Sequence, residues 1–125
     1  MKRIISTTNA PAAIGPYSQA VEANGTLYIS GQLPVDPATG EFASDEVKGQ
    51  TEQVFKNIKA ILIEAGYTVD DVVKTTVFLA DMSLFADMNA VYANQFGETF
   101  PARSTIAVKG LPKGALVEIE TVAVK

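Results

Sequence analysis

The chain has 125 residues, 47% of them hydrophobic and 19% charged, which predicts one folded domain over residues 1–125 rather than a disordered segment. A formal net charge of −4 argues against general nucleic-acid or anionic-membrane binding, and no stretch approaches the roughly 20 apolar residues of a membrane span. The absence of histidine and cysteine excludes disulfides, structural zinc sites and Ser-His-Asp or Cys-His nucleophiles, so any chemistry must use carboxylates, hydroxyls, lysines, backbone groups and water.

In chain order, Lys2 and Arg3 precede Ile4-Ile5, a candidate short strand, but no apolar run of signal-peptide length follows, and a cytoplasmic protein is expected. Asn9 to Ser18 is a Pro- and Gly-rich loop. Gln19 to Ala23 and Thr26 to Ser30 flank Asn24-Gly25, the dipeptide best suited to a type I′ hairpin turn. Pro34, Asp36-Pro37 and Gly40 mark a second loop. The spacing of Val47, Val54, Phe55, Ile58, Ile61 and Leu62 predicts a helix over 45–65, with Ser44 as N-cap and Gly66 as its stop. Residues 72–80 read as a strand rich in β-branched side chains. A second helix is expected from about 84 to 97, its apolar face formed by Leu84, Phe85, Met88, Val91, Tyr92 and Phe96. Strands at 103–108 and 115–124, joined by a turn at Leu111-Pro112-Lys113-Gly114, close the chain.

This order predicts an α+β mixed sheet with two helices covering one face. The strands at 72–80 and 115–124 carry apolar residues on both faces, as doubly buried strands do. The uncovered face would expose a large apolar patch, which implies an oligomer built by packing such faces together.

Arg103 is the most informative residue. The chain has two arginines, and the other, Arg3, lies in the N-terminal segment. A guanidinium at the start of a half-buried strand keeps its charge, and without a partner that charge is costly. It must pair with a carboxylate of the protein or await an anionic ligand, which its planar fork can hold bidentately. Glu118 and Glu120 lie two apart on the last strand and so share one face. Either could be a general base with a pKa raised by burial, or half of a cross-strand ion pair with Arg103 or a lysine. Gly31 permits close backbone approach to a ligand or serves ordinary turn chemistry. Asn89 lies off the apolar stripe of its helix and could be a plain surface residue. No Gly-x-Gly-x-x-Gly or Walker pattern is present, and the acidic residues show no clustered metal-ligand spacing.

The segments Ala13-Ile14-Gly15-Pro16-Tyr17-Ser18-Gln19-Ala20, Ile29-Ser30-Gly31-Gln32-Leu33-Pro34, Val73 to Leu79, Phe100-Pro101-Ala102-Arg103-Ser104 and Val117-Glu118-Ile119-Glu120 together resemble the reactive intermediate deaminases, the RidA or YjgF group. The resemblance runs almost the full chain with its motifs in order. It implies a chorismate-mutase-like fold and a homotrimer whose sheets pack as a central barrel, with three clefts between subunits. It also implies cofactor-free hydrolysis of 2-imino acids, released as the enamines 2-aminoacrylate and 2-aminocrotonate by pyridoxal-phosphate dehydratases, to 2-keto acids and ammonia. By the family pattern Arg103 would hold the substrate carboxylate and Glu118 would position the attacking water. Tyr17, Ser30, Gly31, Asn89 and Thr105 match positions lining the cleft. The departure is Thr105, where many bacterial members carry cysteine; the contact there is expected from the backbone amide, and the change bears on substrate range. The competing readings are a ribonuclease, also associated with this family, and a keto-acid-binding sensor or interaction module without turnover. A sensor needs Arg103 but not Glu118.

Overall fold

A computed structural model describes residues 1–125. Six strands form one sheet in the order β1-β2-β3-β6-β4-β5. They span β1 Arg3–Ile5, β2 Ala20–Ala23, β3 Thr26–Gln32, β4 Val72–Leu79, β5 Ala102–Ala107 and β6 Val117–Val124. Every neighbouring pair is antiparallel except β4 and β5, which run parallel. The expected mixed α+β sheet is therefore present. Asn24 and Gly25 take φ of 52° and 77°, the left-handed pair that a type I′ turn requires, and they join β2 to β3.

The helix α1 covers Val47–Ala65, and its predicted stripe is buried. It stops at Gly66, whose φ of 83° lets its N–H reach the Ile63 carbonyl while Tyr67 N–H reaches Leu62, a closing pair that satisfies two terminal carbonyls. The start differs from expectation. Ser44 does not cap the helix; its Oγ accepts from Glu46 N–H at 3.0 Å, closing a local turn, and α1 begins two residues later than the predicted 45. The helix α2 is shorter than the predicted 84–97 and spans Phe85–Tyr92. A single tight turn at Met82–Leu84, capped by Asp81, precedes it. After Tyr92 the N–H groups of Asn94 and Gln95 reach back only three residues, to Val91 and Tyr92. This tightening carries Phe96 onto Phe55 and Tyr92, with centroids 5.7 and 5.2 Å apart.

The last strand also starts later than the expected 115. The N–H of Leu116 is taken by the Gln50 side chain at 2.8 Å, so strand pairing begins only at Val117. On β6, Val117, Ile119, Thr121 and Ala123 are buried toward the helices, while Glu118, Glu120, Val122 and Val124 point to the uncovered face. That face carries exposed Tyr28, Ile106 and Val124, but also Lys74 and both glutamates. It is a mixed surface rather than a purely apolar one, because polar residues alternate into it from β4 and β6. One further device matters for function. Between Ile29 and Gln32, β3 carries one residue more than the facing stretch of β6, so Ser30 and Gly31 sit on a bulge beside Glu118.

Candidate active site

Two groups of predicted residues form, and they lie apart. The first surrounds Arg103. Pro101 leads into β5, the edge strand, and Arg103 pairs in register with the buried Thr75 of β4. Its side chain therefore turns toward the helices. The guanidinium donates to Asn89 Oδ1 at 2.7 Å from α2. Its central carbon lies 4.6 Å from the Tyr92 ring centroid and 5.5 Å from that of Phe85. No carboxylate pairs with it; the ion pair of the chain is Arg3 with Glu22 at 3.0 Å. The internal ion pair open at the level of sequence is thus absent. Asn89 is not a plain surface residue but the acceptor that holds one edge of the guanidinium. Thr105 follows on the same face of β5, opposite Val77, with its Oγ1 buried and without a hydrogen-bond partner.

The second group lines an open cleft of about 840 Å³, which brings together Tyr17, Ser30, Gly31 and Glu118, with Gln19 and Glu120 beside them. The loop carrying Tyr17 is pinned from below. Buried Gln19 accepts from Thr7 N–H at 2.7 Å and donates to the carbonyls of Thr7 and Pro11 at 3.0 and 2.8 Å. Ser30 Oγ donates to the Ser18 carbonyl at 2.6 Å, and Ser30 N–H to Gln19 at 2.9 Å. The Ser30 hydroxyl proton is therefore committed to the loop, and Ser30 orders the cleft wall more directly than it offers a donor to a ligand. Tyr17 itself is exposed above this frame.

Gly31 has a sharper reason than backbone approach alone. A Cβ there would run into the carboxylate of Glu118. The missing side chain is the space in which Glu118 sits. Burial raises the Glu118 carboxyl above its ordinary value, and the charge of Glu120, next along the same face, pushes in the same direction. The arrangement is that of a carboxyl able to take and return a proton nearer neutral pH than a free glutamate would.

Within one chain Arg103 and Glu118 lie on opposite faces of the sheet, since Arg103 is registered with Thr75 and Glu118 with Phe78, three residues along β4. Sequence reasoning missed Gln19 and the Tyr92 support of Arg103. Gln19 gave a faint signal, as a polar residue opening a strand inside a Pro- and Gly-rich approach. Tyr92 gave none, because it falls on the apolar stripe of α2.

A family model described as Endoribonuclease L-PSP matches residues 7–125. The chain belongs to the RidA/YjgF family. Among its relatives in this family is a Salmonella typhimurium protein named 2-iminobutanoate/2-iminopropanoate deaminase, 51% identical over 128 aligned positions that cover 100% of this chain and 99% of the relative. A solved structure of a conserved Rid family protein from Yersinia pestis superposes with a TM-score of 0.97 at 52% identity, covering 100% of both chains. The structure of E. coli TdcF with bound serine superposes at 0.94 and 45% identity, covering 98% of each chain. The RidA/YjgF fold expected from the five sequence segments is the fold observed.

Proposed function

We propose that the protein hydrolyses 2-imino acids to 2-keto acids and ammonia, as a homotrimer that completes each site between two copies. The observation that carries this reading is the unpaired Arg103. It is held at one edge by Asn89 and against an aromatic face by Tyr92, which leaves the rest of its fork for an anion. The deaminase name of the Salmonella relative supports the same chemistry.

In this reading the substrate carboxylate takes the free edge of Arg103, and Glu118 of the adjoining copy meets the imine carbon from the other side. The substrate nitrogen is a protonated iminium, so its carbon is electrophilic without a metal or a covalent nucleophile. A water held by Glu118 attacks that carbon while the carboxylate takes one of its protons. The resulting carbinolamine takes that proton back from Glu118 on its nitrogen. The C–N bond then breaks, its electron pair leaving with ammonia, while an oxygen lone pair forms the keto C=O and the hydroxyl proton passes through Glu118 to the departing ammonia. One water is consumed, and one 2-keto acid and one ammonium are released. Positioning and proton transfer are the contributions required, each of a few orders of magnitude.

The family description also raises a ribonuclease reading. A phosphate backbone entering the cleft would face Glu118 and Glu120 on a chain of net charge −4, which favours the small-molecule reading. A keto-acid sensor would need Arg103 alone, and the half-buried Glu118 beside it in the proposed trimer favours turnover. The test is to generate 2-aminocrotonate with a threonine dehydratase and follow the loss of imine absorbance. Added protein should accelerate the loss; an unchanged rate would reject the deaminase reading.

A further inference from the structure

Resting on the proposed carboxylate-binding role of Arg103, we infer that Tyr92 is a positioning residue, a shelf whose ring face fixes the plane of the Arg103 guanidinium. Three observations carry this. The Arg103 central carbon lies 4.6 Å from the Tyr92 centroid, within the range of a cation–π contact, and nearer than the Phe85 ring at 5.5 Å. The Tyr92 ring is itself immobilised: its hydroxyl and Thr75 Oγ1 lie 2.7 Å apart, and Phe55 and Phe96 pack on it at centroid distances of 5.5 and 5.2 Å. Thr75 in turn is the β4 residue registered with Arg103, so the same strand position that sets the Arg103 backbone also sets the ring beneath its side chain.

The geometry divides the work around Arg103. Asn89 takes one N–H, and Tyr92 takes a face of the ion without using any N–H at all. The remaining donors have no protein acceptor and lie in the guanidinium plane, which is what a planar carboxylate needs. A guanidinium free to rotate would keep its charge but would lose order on binding, weakening affinity without altering the attack on the imine carbon. The shelf should therefore act on carboxylate binding and little on turnover.

The experiment is calorimetric titration of the intact oligomer with 2-oxobutanoate, run beside steady-state kinetics and thermal melts. Tyr92→Phe keeps the ring and should bind within about twofold of the wild type, whereas Tyr92→Leu should weaken binding about tenfold and raise KM in parallel with kcat little changed. A second readout needs no ligand. The chain has two arginines, so the Arg103 Nε–H resonance is easily assigned. The Tyr92 ring should shift that proton upfield, with the shift kept in Tyr92→Phe and lost in Tyr92→Leu. If Tyr92→Leu does not fold, Tyr92→Met serves in its place, since it fills the site without a ring face and should lose the shift and weaken binding. A folded Tyr92→Leu or Tyr92→Met that binds 2-oxobutanoate as the wild type does, or a wild type whose Arg103 Nε–H is not shifted upfield, would overturn the shelf alone. A wild type that binds no 2-oxobutanoate would overturn the carboxylate-clamp reading and the shelf with it.

Discussion

Arg103 and Glu118 point to opposite faces of one sheet. The register on β4 fixes this: Thr75, the partner of Arg103, is buried toward the helices, and Phe78, the partner of Glu118, faces the other way. A small ligand cannot touch both side chains of a single copy. The chemistry proposed for the pair therefore requires association, and the uncovered sheet face carrying Tyr28, Ile106 and Val124 supplies a surface for it.

Arg103→Lys should lower kcat/KM by about 2–4 kcal/mol in transition-state terms while leaving the oligomer intact. Lysine preserves the charge but offers neither a second parallel N–H nor a planar face for Tyr92. Steady-state kinetics with sedimentation on the same sample checks this. A variant with wild-type kcat/KM would remove the carboxylate clamp from the account.

The acid limb of kcat/KM should lie above 4.5, the ordinary carboxyl value, because burial first and Glu120 second raise Glu118. The active form has Glu118 ionised, so activity falls as pH drops through this raised value. Glu120→Gln removes the second cause and should shift the limb toward lower pH, while Glu118→Gln should depress kcat far more than KM. The stability consequence has the opposite sign. A carboxyl raised in the folded state is favoured there when protonated, so its ionisation costs stability as pH rises, and Glu118→Gln should melt slightly higher than the wild type at neutral pH. A pH profile unchanged by Glu120→Gln would contradict the coupling of the two glutamates.

Gly31→Ala should cost activity more than stability. The new methyl occupies the space of the Glu118 carboxylate on a bulge at the open rim of the cleft, not in the core. A fall in kcat of about tenfold or more is expected from displacing a proton-transfer group, with keto-acid binding at Arg103 largely retained. Unchanged kcat would mean that Glu118 tolerates displacement and is not the positioned base.

Much of this arrangement was legible in the sequence, and the exceptions share a cause. Asn24-Gly25, the α1 stripe and its Gly66 stop are local signals, each decided by a few adjacent residues, and each is found as expected. The start of α1 was misplaced because Ser44 has two local uses, capping a helix and closing a turn, and the chain alone does not choose between them. The end of α2 was misplaced because the stripe continues through Phe96 although the backbone has already tightened. Within the site, the resemblance named Arg103, Glu118, Tyr17, Ser30, Gly31, Asn89 and Thr105; Tyr17, Ser30, Gly31 and Glu118 line the cleft, and Asn89 and Thr105 lie with Arg103. That the hydroxyl of Ser30 would be spent on Ser18, that Gly31 exists to seat Glu118, and that Tyr92 lies under Arg103 are long-range facts. They depend on register across three strands, which no local pattern encodes.

The measurement that bears most directly on the central claim is activity in mixed oligomers. Arg103→Lys and Glu118→Gln chains, each inactive alone, are unfolded together in equal amounts and refolded. In a cyclic trimer, every mixed assembly contains one junction at which an intact Arg103 meets an intact Glu118, and random mixing makes about three quarters of the trimers mixed. With one site in three restored in each, the mixture should recover about a quarter of wild-type activity, while either variant refolded by itself recovers almost none. If the mixture stayed as inactive as its parents although the chains had exchanged, Arg103 and Glu118 would not share a site across two copies.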